Sequence, residues 1–264
     1  MIEIKDQSDT RIKLYTSLQK AAEKHLRNGV FVAEGVKVFK KLLESDLKII
    51  SIFALPEYYE ENNSVIEKRI IDKSKLYFAS KDLMAEIIGF KIHSGVMAIA
   101  SVPQNPPLEN LRFPIVALNG IVDSENVGAI VRNCAAFGCH SIIYDKKTSS
   151  PYLRRAVRVS MGTVFDVDIH ETNSLRNSLL DLKSNKKVKI ISSEINENSI
   201  DIRNVDKSGN VIIVFGSEGR GIDSEILEYS DFIAHIAISP SVSSLNVAAS
   251  SAIMLYEFLR ESDL

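Results

Sequence analysis

The chain has 264 residues, 45% of them hydrophobic and 25% charged, the balance of an ordinary folded globular protein. That balance excludes a disordered chain, a collagen-like repeat and a disulfide scaffold. With 32 Lys and Arg against 34 Asp and Glu the net charge is −2, so a polyanion has to be held by a local patch and not by the bulk field. Cys134 and Cys139 are the only cysteines; their spacing matches no zinc or redox motif, and they read as two reduced thiols. No metal-ligand pattern is present. The segment Met1–Lys13 is too polar for a signal peptide, and no apolar run approaches the roughly 18–20 residues that span a bilayer. A soluble, cytoplasmic protein is expected.

In chain order, Thr10–Asn28 is charged and amphipathic, with Leu14, Leu18, Ala21, Ala22 and Leu26 near helical spacing. Phe31–Ala33 predicts a short strand, Val36–Glu44 a helix and Leu47–Ala54 a strand. After a polar stretch closed by Ile70 and Ile71 come a short strand at Tyr77–Ala79, a helix at Lys81–Ile88 and a strongly apolar strand at Gly95–Ala100. Three of the seven prolines follow, at 103, 106 and 107, and mark a linker over about 101–112. Two domains are expected, 1–104 and 105–264.

Beyond the linker, Ile115–Leu118, Ser141–Tyr144, Lys189–Ser192, Val211–Val214 and Phe232–Ile236 are short apolar runs of the kind found in buried parallel strands. Helices fit Val127–Phe137, Ser174–Ser184, Asp223–Ser230 and Val247–Leu259. The fold class is therefore α/β, an open and mainly parallel sheet behind a smaller α/β domain.

Ligands of such sheets bind beyond the C-terminal ends of the strands. Three polar segments fall there. In Leu118–Asn133, Asp123 or Ser124 could cap a helix that carries Asn126 at its start and Arg132 about two turns in. In Phe215–Ile222, three glycines allow close backbone approach, but Glu218 among them would repel a phosphate, and no GxGxxG or Walker pattern occurs. That makes a nicotinamide dehydrogenase a poor reading. Ser239–Ser251 places several serines and Asn246 before a helix of small residues. Lys146, Lys147, Arg154, Arg155 and Arg158 form a basic cluster opposed in sequence only by Asp145. On composition alone it is a solvated face; beside an RNA site it would contact phosphates.

Taken together, Asn126–Arg132, Gly216–Gly219 and Ser244–Val247 resemble the three motifs of the SpoU-type branch of the SPOUT superfamily, the knotted RNA ribose 2′-O-methyltransferases. Phe31–Gly35 and His93–Val96 are similar to landmarks of the family's small ribosomal L30e-like RNA-binding domain. The chain departs from the family pattern at Ser124-Glu125, and at Ile236-Ala237 and Pro240 before the third motif. The resemblance implies a C-terminal trefoil knot, an S-adenosylmethionine pocket with main-chain groups near Gly216, Ile236 and Leu245, and a homodimer with composite sites. It also implies transfer of the donor's methyl to a ribose 2′-hydroxyl in rRNA or tRNA. Asn126, Arg132, Glu218, Ser244 and Asn246 would be the catalytic set. A guanidinium is a poor base, so Arg132 is expected to hold a substrate phosphate and favour loss of the hydroxyl proton. The alternatives are a silent RNA-binding protein of the same fold and an RNA base methyltransferase.

Overall fold

The computed structural model describes residues 1–16, 18, 22–89 and 95–259. They form two compact units, one of Met1–Pro103 with Tyr152–Phe165, the other of Gln104–Pro151 with the chain from Asp166 onward.

The first unit contains β1 (Ile2–Glu3), α1 (Ala22–Arg27), β2 (Val30–Glu34), α2 (Val36–Glu44), β3 (Ile49–Ala54), α3 (Pro56–Arg69), β4 (Leu76–Phe78), α4 (Lys81–Ile88) and β5 (Val96–Ser101). Its sheet runs β1-β4-β3-β5-β2, with β5 antiparallel to both neighbours and the other pairs parallel. Val96–Ala100 is apolar at every position because β5 is internal and buried on both faces.

Thr10–Asn28 is not the single helix its composition suggests. Asp9 caps a 3₁₀ turn at Thr10–Ile12, turns follow, and α1 begins at Ala22. Among the described residues before α1, Ile12, Tyr15 and Leu18, three apart, are buried, a period that suits tight turns better than an α-helix. Ala21, His93 and Ser94 lie outside the described residues. The helix α3 was hidden in the polar stretch. Pro56 opens it and only Tyr59 and Ile66 are buried, too few to register as a periodic face.

The second unit contains β6 (Ile115–Asn119), α5 (Ser124–Ala136) and β7 (Ser141–Asp145). The chain then crosses α6 (Arg154–Val159) and continues through β8 (Asp168–Thr172), α7 (Leu175–Lys186), β9 (Val188–Ser193), β10 (Ile200–Asp201), β11 (Asn210–Gly216), α8 (Ser224–Leu227), β12 (Phe232–His235) and α9 (Val247–Leu259). Seven parallel strands run β10-β12-β9-β11-β6-β7-β8. The unanticipated β8 and β10 are the two edges, where one face stays polar and the apolar-run signal fails. Asp123 Oδ1 accepts from the Glu125 amide at 2.8 Å, so α5 starts at Ser124.

The expected second domain of 105–264 needs correction. Residues 152–165, with α6, belong to the first unit. Phe31 on the edge strand β2 is fully buried; its ring meets Tyr152 at 5.7 Å and Phe165 at 5.5 Å, and Glu34 pairs with Arg154. Without that segment the outer face of β2 would expose an aromatic residue.

Candidate active site

Register brings the strand ends together. Asn119 at the end of β6 lies beside Gly216 at the end of β11, and Ser193 at the end of β9 lies between Phe215 and Ala234 of the flanking strands. The three motif loops leave from this edge. After β11, any Cβ on Gly216 would collide with the carbonyl of Gly221, so the turn closes only over glycine; the Gly221 amide donates to Ser217 O at 2.9 Å. That turn presents Glu218. Asn246 begins α9, its Oδ1 accepting from the Ala248 amide at 2.9 Å.

The polar tips then join. Asn246 Nδ2 donates to Asn126 Oδ1 at 3.0 Å, and Asn126 Nδ2 donates to Glu218 Oε1. Three segments 92 and 120 residues apart in sequence thus share one directed hydrogen-bond chain that ends on a carboxylate.

Beside the chain lies a cleft of about 250 Å³, bordered by Glu194, Gly216, Glu218, Ile236, Ser244 and Leu245. Among the described residues its lining contains carboxylates but no lysine or arginine. Such a wall rejects a phosphate-bearing nucleotide and suits a flat apolar base attached to a cationic centre. S-adenosylmethionine has both features, and the residues present fit it. Gly216, Ile236 and Leu245 line this cleft. Glu194 was not anticipated: its Oε2 accepts from the Ile222 amide at 3.0 Å and occupies the space that a Cβ on Gly221 would take. The available signal was a carboxylate directly after the apolar strand β9.

Ser244 borders the cleft without a side-chain hydrogen bond to the described residues. Arg132 is not joined to the others. It is exposed on α5, roughly 9 Å of helical rise beyond Asn126, and has no ion pair among the described residues.

The basic cluster is opposed by more than Asp145, contrary to expectation. Asp145 is buried and spends one oxygen on the Gly120 and Thr148 amides, at 3.1 and 2.9 Å. Lys147 Nζ instead lies 2.9 Å from Asp223 Oδ2, and Arg154 is paired with Glu34 and largely covered. The Lys147 ammonium, then the Asn119 amide, hold the Asp223 carboxyl below its usual range, and Asp223 raises Lys147 in return. Lys146, Arg155 and Arg158 are exposed. Both cysteines are buried and unbridged; burial pushes the Cys134 thiol up, which keeps it inert. Among the described residues no group of three His, Cys, Asp or Glu side chains could hold a metal, and no helix is long and apolar enough to cross a membrane.

The model of the SpoU rRNA methylase family matches residues 114–256, more than half of the chain and all three motif segments. The chain belongs to this family. It is an S-adenosylmethionine-dependent RNA methyltransferase of SpoU type. An uncharacterized tRNA/rRNA methyltransferase of Mycobacterium tuberculosis is 28% identical over 236 residues, covering 87% of this chain and 80% of that one. The 23S rRNA (guanosine-2′-O-)-methyltransferase RlmB of Acinetobacter baylyi is 29% identical over 193 residues, 69% of this chain and 77% of its own. The fold is that of the AdoMet-bound rRNA methyltransferase from Sinorhizobium meliloti, with a TM-score of 0.86 at 23% identity over 100% of this chain and 99% of that one.

Proposed function

We propose that this SpoU enzyme transfers the methyl group of S-adenosylmethionine to the 2′-hydroxyl of a ribose in ribosomal or transfer RNA. The observation that carries this reading is the Asn246–Asn126–Glu218 chain at the rim of the cleft. The bound donor supplies an electrophilic methyl on a sulfonium and a neutral leaving group. What remains for the protein is to align the hydroxyl and assist loss of its proton. Glu218 fixes the Asn126 amide, and the pair forms a polar rim that orients the ribose. Ser244 offers a hydroxyl at the same rim. Arg132 binds the phosphate next to the reacting ribose, lowering the cost of the developing alkoxide. The Acinetobacter relative is named for methylation of a guanosine 2′-oxygen, which supports ribose over base.

The first unit recognises the RNA in this reading, with Arg155 and Arg158 on phosphates. The enzyme acts as a homodimer. Ile253 and Tyr256 of α9, a helix packed on α5, are 41% and 55% exposed, and a second copy would cover them. Light scattering is expected to give twice the chain mass.

The test is methyl transfer from labelled S-adenosylmethionine to RNA from a strain lacking the gene, with nucleoside mass spectrometry of the product. A 2′-O-methylated nucleoside that disappears with Arg132→Ala is expected. A methylated base would overturn the ribose assignment. RNA binding without any transfer would identify a silent binding protein.

A further inference from the structure

Behind the rim lies a second polar cluster that takes no direct part in the methyl transfer. Asn119, Asp145 and Thr148 are buried at the ends of β6 and β7, with 3%, 7% and 5% of their surface exposed. The Asn119 side chain uses both of its amide hydrogens and its carbonyl oxygen. Its Nδ2 donates to Asp145 Oδ2 at 2.8 Å and to Asp223 Oδ2 at 3.1 Å, while its Oδ1 accepts from the Asp223 amide at 2.7 Å. Asp145 Oδ1 in turn holds the Gly120 amide, and Thr148 Oγ1 accepts from the Ile121 amide at 3.2 Å. One half of this cluster therefore grips the loop leading to Asn126; the other grips the loop that starts with Glu218.

We propose that Asn119 is a positioning residue for methyl transfer: its carboxamide, wedged between the carboxylates of Asp145 and Asp223, locks the 120–126 loop to the 217–223 loop so that Asn126 and Glu218 meet. An amide is the one common side chain of this size that donates twice and accepts once. Alanine would leave the two carboxylates facing each other, Asp145 Oδ2 without its donor and Asp223 Oδ2 with Lys147 alone. Aspartate would put a third carboxylate between them. The charged groups in contact with the position are Asp145 and Asp223, with Lys147 on the same Oδ2 of Asp223 that Asn119 bonds; Arg220 acts on Asp223 and Glu225 on Lys147 at longer range. The role rests on the proposed methyl transfer.

The experiment compares wild type, Asn119→Asp, Asn119→Ala and the exchange Asn119→Asp/Asp145→Asn between pH 5.5 and 8.5. Like charges raise a carboxyl pKa, so an aspartate at 119 takes up a proton well above the usual carboxylate range and regains one donor as the pH falls. Asn119→Asp is expected to lose at least tenfold in kcat at pH 8 with KM for RNA within threefold. At pH 6 it returns to within threefold of wild type. Asn119→Ala stays low throughout. The exchange variant, in which an amide at 145 donates to a carboxylate at 119 that still faces Asp223, recovers at pH 8 to at least threefold above Asn119→Asp and keeps a smaller pH dependence.

Thermal melts establish that each variant is folded. A folded Asn119→Asp that follows wild type at every pH, or that is uniformly impaired, overturns the proposal. Hydrogen exchange at the Ile222 and Asp223 amides is read on the same proteins without RNA, corrected for intrinsic rates. Protection is expected to fall at least tenfold in Asn119→Asp at pH 8 and to return at pH 6; unchanged protection overturns the proposal. Should wild type methylate no RNA, the functional reading fails and the exchange data alone decide the lock. Should Asn119→Asp not fold, the exchange variant decides: one that folds with unprotected loop amides overturns the lock, and one with native protection supports it.

Discussion

Asn126 stands between an acceptor it needs and a donor it receives, which makes it the most informative single position. Its amide nitrogen donates a hydrogen bond to Glu218 and its carbonyl accepts one from Asn246, so its rotamer is set from both sides. Asn126→Ala is expected to lower kcat by about 10–100-fold, the range for removing one polar group that orients a reacting atom. Binding of the methyl-donor product, followed by calorimetry, is expected to change little, because Asn126 does not border the cleft. A large loss of binding with unchanged turnover would contradict its placement. The identity of these residues was legible in the chain because each sits in a short motif with its own loop chemistry. Glu194 and Asn119 were not. Each is a single polar residue at a strand end, and only the neighbouring loop, reached 28 or 104 residues later, gives it a partner.

At the level of elements, the turn after β11 and the contact of α5 with α9 carry the site. Gly221 has φ of +69°, and a side chain there would also displace the Glu194 carboxylate. Gly221→Ala is expected to cost about 1–3 kcal/mol from the left-handed conformation alone. The thermal midpoint should fall and the cleft should bind its cofactor more weakly, both measurable on the RNA-free protein. The two helices are tied by Asn133, whose Nδ2 donates to Ala248 O and Ser251 Oγ, each at 2.9 Å. Asn133→Ala is expected to destabilise by about 1–3 kcal/mol in urea unfolding, the cost of leaving such partners unsatisfied. Helix α9 matches its predicted bounds because its alternation is local. Helix α3 and strands β8 and β10 escaped because each is buried on one narrow stripe, which leaves no periodic signal.

For the whole molecule, acid stability and RNA binding follow from charge. Asp223 is held low by Lys147 and Asn119. A carboxyl whose folded pKa lies below its unfolded value of about 3.9 contributes stability above that value and loses it as the pH falls through the folded one. The thermal midpoint is therefore expected to decline below about pH 4, and Lys147→Ala should make that decline shallower. RNA affinity should respond to Arg155→Glu and Arg158→Glu with a salt slope reduced by about one per lost phosphate contact. A slope equal to wild type would remove these residues from the interface. Arg154 is unsuited to this test, since reversing it breaks its pair with Glu34.

The amino-acid sequence by itself determined the α/β class, most strands and helices, the proline boundary near residue 103 and the three motifs. Each depends on neighbours within a few residues: an apolar run, a capping aspartate, a glycine where a side chain would collide. The tertiary structure alone decided that residues 152–165 cover β2, that Lys147 and Arg154 are already paired, and that Asn126, Glu218 and Asn246 form one chain while Arg132 stands apart. Those outcomes depend on which segments, distant in sequence, lie side by side in the fold. Sheet order is set by packing between segments a hundred residues apart, and no local pattern encodes it.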